Sequence, residues 1–187
     1  MADVLAEALR LRKLGFAVHW LRSGTKIPVA GGWADAPVMG ESTLKASYQN
    51  GFNVGFRAGK WSVVNGQEIC VLDVDVRGGP AYAEEAYAAA ASMLGGVFRP
   101  NVISGSMVGR HQYLGFPKGG SPPCAATTLR RSDVWVDHAR NVCSGGTEGA
   151  RPAWLIEILS TGKNVVLPPS IHPDTDKPYN WAEADRT

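Results

Sequence analysis

Two acidic residues end an apolar strand pattern near the middle of the chain. In the run Ile69-Cys70-Val71-Leu72-Asp73-Val74-Asp75, the period of two of a β-strand places Asp73 and Asp75 on one face. Two residues of strand span about 7 Å, so the ionised carboxylates repel each other, and partial burial raises that cost. A hard divalent cation such as Mg²⁺ or Mn²⁺ would relieve both effects. The pattern predicts a metal site; the alternative is a strand that runs out into solvent, with Arg77 as a salt partner.

A third carboxylate interrupts another apolar strand pattern. Glu157 is the only charged residue in Trp154-Leu155-Ile156-Glu157-Ile158-Leu159. A lone Glu in such a strand is costly unless it is paired or ligated. Three carboxylates from two strands are the usual protein contribution to a two-metal site for displacement at phosphorus. We therefore expect Asp73, Asp75 and Glu157 to hold two metals, with a salt bridge from Glu157 to an arginine as the alternative.

A Ser/Gly turn before a strand could contact phosphate. Backbone N–H groups, hydroxyls, a guanidinium and an imidazole are all suited to phosphate oxygens. The turn and strand start provide them in Ser104, Gly105, Ser106, Arg110 and His111. Lys163, Ser170 and His172 follow a later strand and offer similar groups. The sequence around Lys163 does not match the phosphate loop of Walker ATPases.

The elements that must position these residues mix helices and strands. Helices are predicted from the Asp3 cap to about Leu14 and over 80–94, and a buried strand over 69–76. Hairpins are predicted to join 102–104 to 111–116, and 154–159 to 164–167. Strict βα alternation is absent, which favours the α+β class.

Residues 117–152 form a long segment rich in Gly, Pro, Ser and Thr, predicted to be a loop-rich insertion within a single domain spanning 1–187. It joins the strand with His111 to the strand with Glu157, so we expect both of its ends to lie at the predicted metal and phosphate site. Residues 86–132 contain no Asp or Glu, and Arg130 and Arg131 lie in both segments. Cations without carboxylates suit a polyanion, and a solvated basic face is the alternative.

The composition excludes several classes of protein. The chain has 187 residues, 44% of them hydrophobic, which is enough for a folded core and excludes global disorder. Three cysteines are too few for a disulfide scaffold and favour a reducing compartment. No apolar run approaches the roughly 20 residues that span a bilayer, and no signal peptide is recognisable. We expect a cytoplasmic protein that does not contact a membrane.

Taken in order, the motifs resemble the N-terminal bifunctional DNA primase/polymerase (Prim-Pol) domain of the archaeo-eukaryotic primase superfamily. The order of the pieces is more specific than any one of them. They are Gly24-Thr25-Lys26-Ile27-Pro28 with Gly32-Trp33, Asn50-Gly51-Phe52-Asn53-Val54-Gly55, Val71-Leu72-Asp73-Val74-Asp75, Ser104-Gly105-Ser106 with Gly109-Arg110-His111, and Val165-Val166-Leu167-Pro168-Pro169-Ser170-Ile171-His172 with Tyr179-Asn180-Trp181.

The resemblance implies mixed β-sheets flanked by helices around a metal and nucleotide cleft. It implies that Asp73, Asp75 and Glu157 bind two divalent ions, Mg²⁺ or Mn²⁺, and that His111, with Arg110 and the Ser104 turn, contacts the triphosphate. Lys163, Ser170 and His172 are similar to the strand and loop that line the nucleotide pocket. The implied partners are single-stranded DNA template, primer and NTP or dNTP. A helicase module in the same full-length protein, or a separate helicase, is also expected, as in replication proteins of phages or plasmids.

The expected activity is template-dependent nucleotidyl transfer, as a DNA primase, a DNA polymerase or both. Arg130 and Arg131 are then expected to bind DNA, and residues 117–152 are expected to lie near the template or the incoming nucleotide. One alternative is a metal-dependent glycosyltransferase, because Asp-x-Asp at a strand end also suits nucleotide sugars. The other is a non-catalytic module that binds single-stranded DNA or recognises an origin.

Overall fold

A computed structural model describes residues 3–122 and 125–182. These residues form three helices, thirteen strands and a 3₁₀ turn at Pro80–Tyr82. The elements in chain order are α1 Val4–Leu14, β1 Ala17–Leu21, α2 Glu41–Ser47, β2 Asn53–Arg57, β3 Gly59–Val64, β4 Gln67–Val76, α3 Ala83–Met93, β5 Val102–Ile103, β6 Arg110–Pro117, β7 Ala126–Arg131, β8 Trp135–Val136, β9 Val142–Cys143, β10 Arg151–Pro152, β11 Trp154–Leu159, β12 Asn164–Val166 and β13 Asn180–Trp181.

The largest element is a seven-stranded sheet built around β4. Its strands follow the order β13-β5-β6-β4-β11-β7, and β3 also pairs with β4. All of these pairings are antiparallel. The predicted apolar strand is therefore the centre of the sheet, with β6 on one side and β11 on the other.

Two apolar layers cover the central sheet. On one face, Leu72, Val74 and Val76 pack against α3, mainly through its alanines. On the other face, Ile69 and Val71 join a core with α1 and the second sheet, whose order is β1-β2-β12. Since strand residues alternate between faces, Asp73 and Asp75 continue the Ile69–Val71 side beyond the end of that core.

Local signals for α1 and α3 agree with the structure. The Asp3 carboxylate accepts hydrogen bonds from the N–H groups of Leu5 and Ala6 and caps α1. The helix ends at Gly15, whose φ of 110° is left-handed and whose missing side chain leaves room for the Val63 carbonyl. The Ala-rich helix starts later than predicted, because Pro80–Tyr82 form a 3₁₀ turn before α3.

The predicted hairpin between 154–159 and 164–167 is wrong. β11 belongs to the central sheet, whereas β12 pairs with β2 in the three-stranded sheet. Gly162, with a φ of 96°, allows the chain to turn between the two sheets. The Lys163 carbonyl then accepts a hydrogen bond from the Ala58 N–H, which holds the turn against the end of β2.

The segment 117–152 contains more regular structure than its composition predicts. β7 forms an edge of the central sheet beside β11, and β8, β9 and β10 form a small sheet in the order β10-β8-β9. The sequence of β7 has no apolar alternation that would predict a strand, because four of its six residues are exposed. Among the described residues, no helix has the length and apolarity required to cross a membrane.

Candidate active site

Three predicted site residues lie in one row across the central sheet. Asp73 of β4 is directly opposite His111 of β6 and directly opposite Glu157 of β11. Directly opposed residues in antiparallel strands share a face, so all three side chains lie on the same side of the sheet. Asp75, two residues further along β4, lies on that face as well.

The pKa values of Asp73 and His111 are both shifted in the direction that favours the neutral side chain. Burial, the charge of Asp75 and that of Glu157 raise the pKa of Asp73 to about 7, against the opposing charges of Lys26 and Arg77. Burial and the nearby Lys26 charge lower the pKa of His111 to about 4. His111 Nε2 lies 3.5 Å from Asp73 Oδ1. Near pH 7 the imidazole is therefore neutral and the Asp73 carboxyl is about half ionised, and a bound cation would favour its charged form.

Each carboxylate in the row has a protein partner. Asp75 Oδ2 accepts a 2.8 Å hydrogen bond from Arg77 Nε, and Glu157 Oε1 accepts one of 3.3 Å from Thr128 Oγ1. In residues 3–122 and 125–182, no three His, Cys, Asp or Glu side chains are arranged so that they could hold a metal ion. The donor chemistry fits Mg²⁺ or Mn²⁺, because the oxygens are hard and Asp73 is destabilised by like charge.

The row borders a cleft of about 470 Å³. That volume is within the usual range for a small-molecule site, about 300–1,000 Å³. Glu157 is not among its lining residues and lies in the neighbouring strand. The cleft is lined by Lys26, Asp73, Asp75, Val76, Arg77, Ser104, Ser106, Gly109, His111, Arg140, Arg151, His172, Asp174, Thr175 and Tyr179.

The Ser104–Gly109 turn forms part of one cleft wall. Its hydroxyls organise the turn: Ser106 Oγ accepts from the Gly109 N–H at 3.0 Å, and Ser104 Oγ accepts from the Ser106 N–H at 3.3 Å. Gly105 lies so close to the next loop that an added Cβ would be 2.5 Å from the Cβ of His172. The Ser104–Gly109 turn therefore packs against His172, and both line the cleft with Asp73.

Arg110 lies on the opposite side of the sheet from His111. It is opposite Val74, which faces α3, and its guanidinium stacks over Tyr87 at 5.3 Å. Its Nη1 donates to the carbonyls of Met107 and Gly109. Alternation along β6 thus brings His111 to the cleft and takes Arg110 away from it.

Lys26 and Tyr179 also line the cleft. Both lie within the motifs quoted above, but neither was predicted to be a site residue. The Tyr179 hydroxyl lies near the Lys26 ammonium and the Ser104 hydroxyl, and burial raises the pKa of Tyr179. Desolvation lowers the pKa of Lys26, but Tyr179, Asp73 and Asp75 outweigh it, so the pKa is raised and the ammonium stays charged. The Tyr179 ring stacks on His172 at 5.7 Å and lies 6.0 Å from the His111 ring. The sequence feature that could have indicated Lys26 is its position in a loop between Gly24 and Pro28.

Lys163 and Ser170 do not line the cleft. Lys163 lies in the turn between β11 and β12, and Ser170 is fully buried. The Ser170 hydroxyl accepts from the Val54 N–H at 2.8 Å and donates to the Val54 carbonyl at 2.9 Å. This position fixes the loop that carries His172 to β2.

Replacing Ser170 with Ala is expected to affect stability more than nucleotide use. The change leaves the buried Val54 N–H without its acceptor, which costs about 1–3 kcal/mol, or a few degrees of Tm. Thermal unfolding and the KM for nucleoside triphosphate should be measured together. An unchanged Tm with a KM raised several-fold would instead assign Ser170 to nucleotide binding.

Arg130 and Arg131 are exposed residues of β7. Arg131 is opposite Leu155, on the face that carries Glu157, and its guanidinium stacks over Trp135 at 5.3 Å. Arg130 is opposite Ile156, which belongs to the α3 side. The register therefore separates the two predicted DNA-binding arginines onto different faces.

This is therefore an α+β protein with antiparallel sheets, in which two strand carboxylates face a cleft that also contains basic side chains. The family model for the bifunctional DNA primase/polymerase N-terminal domain, Prim-Pol, matches residues 8–187. The chain therefore belongs to the Prim-Pol family, and its fold is that of the archaeo-eukaryotic primases. No curated protein matches the chain. Membership implies DNA primase or polymerase activity and confirms the resemblance derived from the motifs.

Proposed function

We propose that this domain transfers nucleotides from nucleoside triphosphates to a DNA primer, or to a first nucleotide, on a single-stranded template. The observation that carries the proposal is the position of Asp73 and Asp75 at the floor of a cleft that also holds Lys26, Ser104 and His172. Acidic groups beside phosphate-binding groups suit phosphoryl transfer, because the reaction needs both cation binding and neutralisation of phosphate charge. Asp-x-Asp also suits nucleotide sugars, but the family match favours DNA synthesis.

Asp73, Asp75 and Glu157 are the residues that would hold divalent cations, Mg²⁺ or Mn²⁺. When bound, such ions supply Lewis-acid activation of the attacking hydroxyl and neutralise charge on the transferred phosphate and leaving pyrophosphate. In the transfer, the hydroxyl oxygen loses its proton to solvent and bonds to the α-phosphorus, the bond from that phosphorus to the pyrophosphate oxygen breaks, and pyrophosphate leaves.

The residues around the cations would orient the triphosphate. The Lys26 ammonium interacts electrostatically with Asp73 and Asp75 and would pair with phosphate oxygens. The neutral His111 would donate a hydrogen bond without adding a second positive charge beside Lys26. Tyr179 lies beside the Lys26 ammonium and packs against both histidines, so it would act as a positioning residue. Arg131, on the Glu157 face of β7, would contact the DNA strand.

The direct test is incorporation of labelled nucleotides on single-stranded templates. Reactions should be run with and without a primer, with NTPs or dNTPs, and with Mg²⁺ or Mn²⁺. We expect extension products that require both a template and a divalent ion. DNA binding without incorporation in every condition would favour a non-catalytic binding module, and turnover of sugar nucleotides without DNA would favour a glycosyltransferase.

Replacing Lys26 with Met should raise the KM for nucleoside triphosphate at least about tenfold, the usual size of one lost charge-assisted contact. The DNA affinity should change less, because Lys26 lies in the cleft and not on the β7 edge. Lys13 is an exposed lysine of α1 that does not line the cleft, so Lys13→Met is the charge-matched control. An unchanged KM in Lys26→Met would remove this residue from nucleotide binding.

A further inference from the structure

Two arginines of the segment 117–152 reach the cleft through the small sheet. Arg151 is a residue of β10, and Arg140 lies in the connection between β8 and β9. Both line the cleft with Asp73 and Asp75. The site residues Ser104, His172 and Tyr179 approach from the side of β5 and β13, whereas β10 precedes β11 on the other side of β4. The arginines therefore belong to a different wall.

The small sheet is anchored to the end of β4 that carries the acidic residues. The Ala153 carbonyl accepts hydrogen bonds from the N–H groups of Arg77 and Gly78, each at 2.8 Å. The Ala153 N–H donates to the Val134 carbonyl at 2.8 Å, and Val136, opposite Arg151, is fully buried. Arg151 is thus held two residues before Ala153, whose carbonyl binds the end of the segment that carries Asp75 and Arg77.

A tight turn directs Arg140 toward the same place. Its backbone has a φ of 70°, and its N–H donates to the Asp137 carbonyl. The Asp137 carboxylate accepts from the N–H and the side-chain amide of Asn141. Arg140 Nη1 lies 4.0 Å from the position that a Cβ would take at Gly79, just beyond β4.

Neither guanidinium is neutralised within the described residues. The ion pairs there are Arg10–Glu7, Arg77–Asp75 and His111–Asp73, so no carboxylate lies within 4.0 Å of Arg140 or Arg151. Arg151 Nη2 is 3.4 Å from His138 Nδ1, but the buried Arg151 Nε has no hydrogen-bond partner in this part of the chain. A buried N–H donor without an acceptor is unfavourable, and the described residues neither neutralise nor fully satisfy this guanidinium.

We infer that Arg140 and Arg151 form a second phosphate-binding wall of the cleft, separate from the wall of Lys26 and His172. Planar guanidinium groups bind phosphate oxygens through paired hydrogen bonds, which suits two arginines that lack carboxylate partners. The ligand is a phosphate group, supplied by the nucleotide or by the nucleic-acid strand. That the phosphate comes from a nucleotide or a nucleic-acid strand rests on the proposed function.

The test measures binding, not synthesis, so that it does not depend on turnover. Wild type, Arg151→Ala, Arg140→Asn and the double variant should be titrated in EDTA with dATP, adenosine and a labelled single-stranded oligonucleotide. Asn tolerates the left-handed backbone at position 140, and Arg151→Lys retains the charge if Arg151→Ala does not fold. Lys13→Ala removes the same charge from an exposed position of α1 outside the cleft.

We expect the double variant to bind a phosphate ligand at least about tenfold more weakly, with adenosine binding and the Lys13→Ala control unchanged. Loss confined to dATP identifies the nucleotide as the source. Weaker oligonucleotide binding, with a salt dependence reduced by about 0.7 per lost contact, identifies the strand. Unchanged affinity for both ligands in folded variants, or no binding of either by wild type, overturns the inference. Wild-type incorporation measured separately decides the proposed function.

Discussion

Replacing Asp73 with Asn is expected to abolish nucleotide incorporation and, in the same protein, to raise its thermal stability above pH 7. Asp73 is the centre of the row with His111 and Glu157, so Asp73→Asn removes the charge of the central proposed cation ligand. The fall in kcat should be at least about a thousandfold, since an acidic ligand of a phosphoryl-transfer site is removed.

The gain in stability follows from the pKa of Asp73, which burial and Asp75 raise to about 7. Between the ordinary pKa near 3.8 and this value, the folded state holds a proton that the unfolded state has lost, so wild-type stability falls as pH rises. The penalty is complete above pH 7. The side chain keeps 25% of its surface exposed, which screens part of the effect. We expect Asp73→Asn to gain about 2 kcal/mol, or about 4–8 °C of Tm, at pH 8.

Thermal unfolding in EDTA at pH 5, 6, 7 and 8 checks this prediction. The difference in Tm between Asp73→Asn and wild type should be small at pH 5 and largest at pH 8. Asp75→Asn is the matched control: it should also abolish incorporation, but Asp75 is more exposed and paired with Arg77, so its stability gain should be smaller. A destabilised Asp73→Asn at pH 8, or one that retains a tenth of the activity, would contradict the assignment.

Glu157→Gln is expected to remove most divalent-ion-dependent activity without lowering Tm. The amide has nearly the same shape, and its oxygen can still accept the hydrogen bond from Thr128. It lacks the negative charge that a cation would require. The fall in activity should be at least about a hundredfold, because Glu157 is next to Asp73 but does not line the cleft.

The salt-bridge alternative for Glu157 gives the opposite result. If Glu157 neutralised a buried arginine, Glu157→Gln would leave that cation unpaired and cost about 3 kcal/mol or more. The described residues contain no ion pair to Glu157. Thr128→Val removes the hydrogen bond and retains the carboxylate, so it should keep activity. A Tm loss of about 6 °C or more in Glu157→Gln, with activity retained at low temperature, would favour the salt bridge.

The features that could be read from the sequence are those with short-range causes. The cap at Asp3, the end of α1 at Gly15 and the apolar run of β4 depend on residues a few positions apart. The alternation that places Asp73 and Asp75 on one face also places Arg110 and His111 on opposite faces. Strand periodicity could therefore have predicted that Arg110 does not face the cleft.

Contacts between distant segments required the tertiary structure. The separation of β12 from β11, the placement of β7 at the sheet edge and the reach of Arg140 and Arg151 to the cleft depend on strand pairing over long sequence distances. The burial of Ser170 likewise depends on its contact with Val54 of β2, 116 residues away.

The sequence by itself determined the α+β class, the Prim-Pol family and the acidic residues of one strand face, because strand period, helix caps and motif order are properties of the chain. The tertiary structure decided which residues meet in the cleft. It placed Asp73 between His111 and Glu157, brought Lys26 and Tyr179 to them, and left Lys163 and Ser170 outside. The physical reason is that register and sheet assignment are set by burial and hydrogen bonding summed over the whole fold, and no local pattern encodes that sum.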